Sequence, residues 1–350
     1  MRKKMVGAAF LAAVLLGTGC AGASGETYLF DAIQKQTETR AELPDGGRVI
    51  LLTHSMPESS AAHRVAEKFK TLLEERSGGH FRVDIFPDDT LGYVTDNDAA
   101  LINGSIEMRI GAGGTLSVMT MLWAPTLSRL SLPEIADLLQ EGEIRRIMER
   151  ECEEKGTKLL AAFPPQYRVA TSNVKVQSFE DFSRLTMRIF SSNATEGPYW
   201  QSLGAKTAVY DIHQVFAALQ QGLVNSQENT LPIIVSSGIH RQQRYLLKTN
   251  HKIYFDCMLM GKEFYDLLDA DEQALLNEVA AETADYAAEM DEAERKRCER
   301  TLEAAGVESL ELSEELREQM REAAGPVVEA ALRSQYGDDK MDRILSVLTP

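Results

Sequence analysis

Past its first twenty residues, this 350-residue chain has no apolar run approaching the ~20 residues that a membrane span requires. Cysteine is scarce as well: Cys20 stands near the start, and Cys152, Cys257 and Cys298 are the others. None belongs to a CxxC, and no ligand-type spacing links them to histidine. A zinc site and a cysteine-dependent scaffold are therefore excluded, while one disulfide among the last three stays open. Positive charge is in deficit. The 37 Lys and Arg against 53 Asp and Glu give a net −16, a balance that repels nucleic acid and anionic lipid headgroups. Enzyme motifs are missing too. There is no HExxH, no GxSxG and no P-loop, and Gly111-Ala112-Gly113-Gly114 runs on to Leu116 where a GxGxxG needs glycine. The six histidines, at 54, 63, 80, 213, 240 and 251, never fall at i, i+2 or i, i+4. Neither a metal nor a cofactor is expected.

What is present begins with a leader. Arg2, Lys3 and Lys4 precede an apolar stretch from Val6 to Leu16, the length of a secretory signal. Gly17-Thr18-Gly19-Cys20 follows and resembles the lipobox at which bacterial lipoproteins are cleaved and acylated on cysteine, with Gly17 in place of the usual Leu. The expectation is a signal peptide over 1–19 and a lipid anchor on Cys20. Cleavage without acylation and an uncleaved anchor are the alternatives. Loss of 1–19 removes three positive charges and no acid, taking the body from −16 to −19. Residues 20–46 are rich in Gly, Ser, Thr and acids and end in Pro44-Asp45-Gly46. They read as a tether with one helical piece near Tyr28–Gln36.

About 330 residues remain, more than one core normally holds, so two lobes outside the cytoplasm are expected. Strand-like and helix-like periods alternate from Val49 onward. Val49 to Leu52 is a short apolar strand. Ser59 or Ser60 then caps a helix whose apolar face is Val65, Phe69, Leu72 and Leu73. Further strands are predicted at Phe81–Ile85, Ile106–Ile110, Leu159–Phe163, Arg168–Thr171, Met187–Phe190 and Lys206–Val209. Repeated strand-then-helix units imply parallel or mixed sheets covered by helices. Near Leu268 the chain turns Ala- and Glu-rich, predicting a helix from about Asp269 to Glu303 and another over Ser313–Tyr336.

Two arginines interrupt apolar strands. Arg168 lies in Tyr167-Arg168-Val169-Ala170-Thr171, and Arg188 in Leu185-Thr186-Met187-Arg188-Ile189-Phe190. Burying a guanidinium costs several kcal/mol without an acceptor. Its planar fork fits a carboxylate, which either the protein or a ligand can supply.

The stretch Leu203-Gly204-Ala205, followed by Val215-Phe216-Ala217-Ala218-Leu219-Gln220-Gln221-Gly222-Leu223-Val224-Asn225-Ser226-Gln227-Glu228-Asn229, resembles the signature of TRAP (tripartite ATP-independent periplasmic) transporter solute receptors, DctP-type. Blocks at His54–Phe69, Ser77–Pro87, Leu91-Gly92, Gly104–Met108 and Tyr245–His251 agree in order, over roughly 48–335. The resemblance implies an α/β, two-lobed periplasmic-binding-protein-like fold (class II-like), with mixed sheets flanked by helices and a long bracing C-terminal helix. Residues 47–165 and 255–296 are assigned to lobe I, and 166–254 and 297–345 to lobe II. It further implies hinge closure on a small organic acid, delivery to TRAP membrane permease subunits, and no nucleic-acid partner. By the same resemblance Arg188 makes a two-pronged contact with the ligand carboxylate, and Arg168 and Asn229 support that group. Phe190 and Ile212 supply apolar walls. His54 either touches the ligand or caps the following turn. The chain departs from the pattern at Asn225-Ser226 (usually Asp-Gly), Thr230 (usually Pro) and Gln214 (usually Glu). Ala112 and Ile212 stand where sialic-acid receptors carry an acid and an aromatic, which disfavours that sugar. The rival readings are a receptor feeding a membrane signalling protein, and a hydrolase using Asp211 or Glu228.

Overall fold

The computed structural model describes residues 43–92, 94–112, 123–190 and 195–349; the leader, Cys20, the helical piece of the tether, Gly113, Gly114 and Leu116 lie outside them. From Gly46 on the chain is one compact unit. The first sheet begins with β1 (Arg48–Thr53), α1 (Ala61–Arg76), β2 (Phe81–Phe86), α2 (Val94–Ile102) and β3 (Met108–Ala112). Three helices, α3 (Ala124–Leu127), α4 (Leu132–Gln140) and α5 (Gly142–Glu154), lead to β4 (Thr157–Ala162). The chain then enters the second sheet. It runs through β5 (Gln166–Ser172), β6 (Thr186–Ile189), α6 (Glu196–Ser202), β7 (Lys206–Val209), α7 (Ile212–Gln220), β8 (Ser226–Asn229), α8 (Leu231–Ser236) and β9 (Tyr245–Tyr254). It returns for β10 (Asp256–Gly261) and α9 (Lys262–Asp266), then follows α10 (Ala270–Ala304), β11 (Glu308–Leu310), α11 (Glu314–Tyr336) and α12 (Asp338–Leu348).

The strand orders are β2-β1-β3-β10-β4 and β11-β9-β5-β8-β6-β7. Parallel pairing joins β1 to β2 and β3, while β10 runs antiparallel to β3 and β4. In the second sheet β6 is parallel to β7 and β8, and β5 is antiparallel to β8 and β9. Both sheets are thus mixed and flanked by helices, as the alternating periods require.

Local signals start the helices where the sequence puts them. Ser60 accepts the His63 amide at the head of α1, and Asp269 accepts the amides of Asp271 and Glu272 at the head of α10. The α1 face Val65, Phe69, Leu72 and Leu73 packs against Ile50, Leu52 and Val83 of the first sheet. At 35 residues α10 runs ~50 Å and braces both lobes. Its Leu276, Val279 and Ala280 join the first core, while Leu302 packs with Val169, Ile234 and Leu246 of the second. The sheets are also joined by two strand crossings, Ala162 to Gln166 and Tyr254 to Asp256.

The C-terminal helices serve both cores: α11 packs Leu316, Met320 and Val328 in the second lobe, where Met341 of α12 joins them, while Ile344 and Leu348 of α12 pack with Leu139, Ile144 and Met148 of the first.

Phe69 has no accessible surface, whereas Leu267 is 66 % exposed. Phe69→Ala is expected to lower unfolding free energy by ~3–5 kcal/mol and Leu267→Ala by less than about 0.5 kcal/mol, measured by urea denaturation.

Candidate functional site

Strand β6 alternates. Met187 and Ile189 point into the core shared with α11, so Arg188 is turned to the opposite face of the sheet. It is only 1 % exposed, and its Nε donates to the Tyr210 carbonyl at 2.8 Å, which sets the plane of the guanidinium. The guanidinium carbon lies 6.0 Å from the centroid of Phe190, an aromatic that is 43 % exposed just past the strand end. Ile212, two residues beyond Tyr210, opens α7 and packs beside Val215 and Leu219.

Arg168 and Asn229 come together on β5 and the intervening strand β8. Register places Val169 opposite Asn229 on β5 and β8, and Arg188 opposite Gln227 on β6 and β8. Arg168 closes a two-pronged pair with Glu228: Nε donates to Oε2 at 2.5 Å and Nη2 to Oε1 at 2.7 Å. The same Nη2 donates to Asn229 Oδ1 at 3.0 Å, and Asn229 Nδ2 donates to Gln227 Oε1 at 3.2 Å. His251 stands behind, its Nε2 3.4 Å from Glu228 Oε2 and its Nδ1 2.8 Å from the Thr249 hydroxyl. Burial opposes ionisation of Glu228, but the Arg168 charge, the hydrogen bonds from Arg168 and the nearby His251 outweigh it and hold the carboxyl well below its ordinary value. Burial keeps His251 below its ordinary value despite that carboxylate.

His54 directly follows β1, and its ring is buried in the first lobe. The Met56 amide donates to Nδ1 at 3.3 Å, so the ring proton sits on Nε2, which lies 3.0 Å from His63 Nδ1. Both ring nitrogens are engaged, Nδ1 with the turn that follows β1 and Nε2 with α1. Asp211 caps α7 by accepting the His213 amide at 3.0 Å. Glu228, the other carboxylate of the hydrolase reading, is locked to Arg168. Cys152, Cys257 and Cys298 are free and buried.

A family model described as bacterial extracellular solute-binding protein, family 7 (DctP) matches residues 52–335. The chain belongs to this family. DctP-family proteins are extracytoplasmic solute receptors, not enzymes. The C4-dicarboxylate-binding periplasmic protein DctP of Rhodobacter capsulatus is 27 % identical over 286 residues, covering 80 % of this chain and 85 % of the relative. Among solved structures, a TRAP periplasmic solute-binding protein from Desulfovibrio salexigens with bound orotic acid superposes with a TM-score of 0.78 at 23 % identity, covering 85 % of this chain and 97 % of that one. One from Roseobacter denitrificans with bound L-galactonate gives 0.72 at 25 % identity, covering 86 % and 98 %.

Sequence reasoning passed over the partner of Arg168. It read Glu228 only as a rival catalytic acid, although every residue of Ser226–Asn229 is buried and a carboxylate on such a strand demands a cation. His251 entered only as part of a matching block.

The His54 geometry makes an acid-stability prediction. Burial and the neighbouring His63 push its pKa down to about 4 from 6.5. A histidine depressed in the folded state is protonated more readily in the unfolded chain. Stability is therefore unaffected above pH 6.5 and falls as pH drops from 6.5 towards 4, by about 3 kcal/mol from this group. In urea melts across that window, His54→Asn should lose this slope while leaving ligand affinity within a few fold at pH 7.5.

Proposed function

We propose that this chain is the lipid-anchored extracytoplasmic receptor of a TRAP-type transporter, taking a small organic acid by its carboxylate at Arg188 and delivering it to membrane permease subunits. One observation carries the reading: a guanidinium with 1 % exposure, oriented by a backbone carbonyl, at the carboxyl end of a parallel strand. Ligands of open α/β sheets gather at those strand ends, and a planar fork is the group best matched to a carboxylate. Phe190 and Ile212 flank it as apolar walls. Arg168 and Asn229, already bonded to each other, hold the neighbouring rim, and their contact with the ligand goes through groups that Glu228 has positioned.

Hydrogen bonds to charged groups contribute ~1.5–3 kcal/mol each, and micromolar affinity corresponds to about −8 kcal/mol. Two or three such bonds plus the walls suffice. A ligand held from both lobes binds the closed state better than the open one and shifts the population towards it. One contact already spans the lobes: His213 Nε2 at the head of α7 lies 3.9 Å from Asp89 Oδ2 in the loop after β2. Relatives whose ligands are C4-dicarboxylates, orotate and L-galactonate share a carboxylate and little else, which favours the carboxylate as the common handle.

Removing two charge-assisted bonds, about 3 kcal/mol or more, makes Arg188→Ala bind organic acids at least a hundredfold more weakly by titration calorimetry. Arg188→Lys keeps the charge, loses the fork, and should lose roughly tenfold. Unchanged affinity in the alanine variant overturns the clamp. Separately, Cys20→Ser should move the protein from the membrane fraction to the soluble extracytoplasmic fraction, and wild-type Cys20 should take up labelled palmitate; a wild-type protein that is already soluble refutes the anchor.

A further inference from the structure

Opposite Arg188, on the α11 face of the second sheet, lies a cavity of about 430 Å³. Tyr199 and Met320 line it and belong to the core into which Met187 and Ile189 point, so the sheet stands between this cavity and the clamp. Its other walls come from the connection between α3 and α4, from Thr249, Asn250 and His251 of β9, and from α11. The volume falls in the range of about 300–1,000 Å³ usual for small-molecule sites. Asn250 takes φ 47°, a left-handed conformation uncommon outside glycine, and such outliers gather at ligand sites.

The lining is cationic although the chain is acidic, with Arg129, Arg317 and Arg321 against one carboxylate, Glu314. Two of the three are answered by protein carboxylates. Arg321 donates to Glu314 and Glu318, and Arg129 Nη2 donates to both oxygens of Glu318 at 3.0 and 2.9 Å. Arg317 is held otherwise. Its Nη1 donates to the Thr249 carbonyl at 3.1 Å, and no carboxylate among the described residues lies nearer than Glu311 Oε2, at 3.8 Å. The Glu311 side chain is 67 % exposed and gives its other oxygen to Lys248 at 2.6 Å. Arg317 itself is 17 % exposed, so its guanidinium is oriented by a carbonyl and only weakly neutralised. The Tyr167 hydroxyl stands within reach of its charge.

We propose that this cavity is a second ligand site, in which a small anion places a carboxylate or phosphate group on Arg317 beside the Tyr167 hydroxyl and the Asn250 amide. A guanidinium with one prong on a backbone carbonyl keeps donors for an oxyanion, and the phenol and the amide add neutral ones. The rest of the ligand lies against Met320 and the Tyr199 ring, both buried. An anion seated here touches pieces of both lobes. The α3–α4 connection leads into the first-lobe core through Ile135 and Leu139, whereas α11 packs in the second. Arg129 and Glu318 already make that bridge at the exposed rim, where an ion pair contributes little.

Both tryptophans of the chain border the site: the Trp123 ring lies 4.9 Å from that of Tyr199, and the Trp200 ring 5.0 Å from that of His251. Tryptophan fluorescence of the full chain therefore reads it. In Arg188→Ala, which removes the clamp, titration with sodium phosphate or sodium citrate should still give a saturable change at millimolar concentration or below, with sodium chloride at matched ionic strength as the blank. Adding Arg317→Gln should weaken that binding at least tenfold, as loss of charge-assisted bonds requires. Arg317→Lys should fall between the two, and Tyr167→Phe should cost about threefold. Saturation by either anion that Arg317→Gln weakens supports the site, and the anion that saturates identifies the head group. No saturable change with either anion overturns it, as does one that Arg317→Gln leaves intact. Should Arg317→Gln fail to fold, unaltered affinity in both Arg317→Lys and Tyr167→Phe overturns it equally. The clamp is tested separately, because this titration is made in a chain that lacks Arg188.

Discussion

A guanidinium inside a β-sheet must be given acceptors, and the second lobe is organised by that demand. Arg168 is answered from within. Glu228, sixty residues further on, meets both prongs of its fork on the adjacent strand, and His251 backs the carboxylate. Such a pair adds little net stability over an apolar core of the same shape, but removal of one partner strands a buried charge. Its effect is to fix Arg168 and Asn229 in one arrangement. Arg188, on a strand next but one, is held through Nε by the Tyr210 carbonyl, which orients the fork. Two arginines in similar strand contexts are thus fixed by different acceptors, a carboxylate in one case and a backbone carbonyl in the other.

The hinge gives this chemistry its mechanical consequence. Two short strand crossings and the α10 brace join the lobes, so most contacts lie within a lobe and the residues facing the cleft come from separate pieces of chain. Asp256 lies on one of those crossings, beside β10 in the first sheet, while Tyr254 closes β9 in the second. Their hydrogen bond therefore spans the joint itself.

Much of the fold is legible in the residues because its causes are local. The α1 stripe, the Ser60 and Asp269 caps, the alternation of β2 and the full run of α10 follow from periods of two and 3.6 and from short-range capping bonds. The placement of Arg188 on a strand is equally local, and the block from Gly204 to Asn229 carries the family. The division of α12 between the two cores and the pairing of Arg168 with Glu228 were not legible, because each depends on residues far away in the chain. The sequence by itself determined alternating strands and helices with arginines on interior strands, since propensity and periodicity are properties of neighbouring residues; the receptor family came from the resemblance of the Gly204–Asn229 block. Only the tertiary structure decided that Glu228 closes on Arg168. A charge pairs with whatever the fold brings within about 3 Å, and sequence distance does not measure that separation.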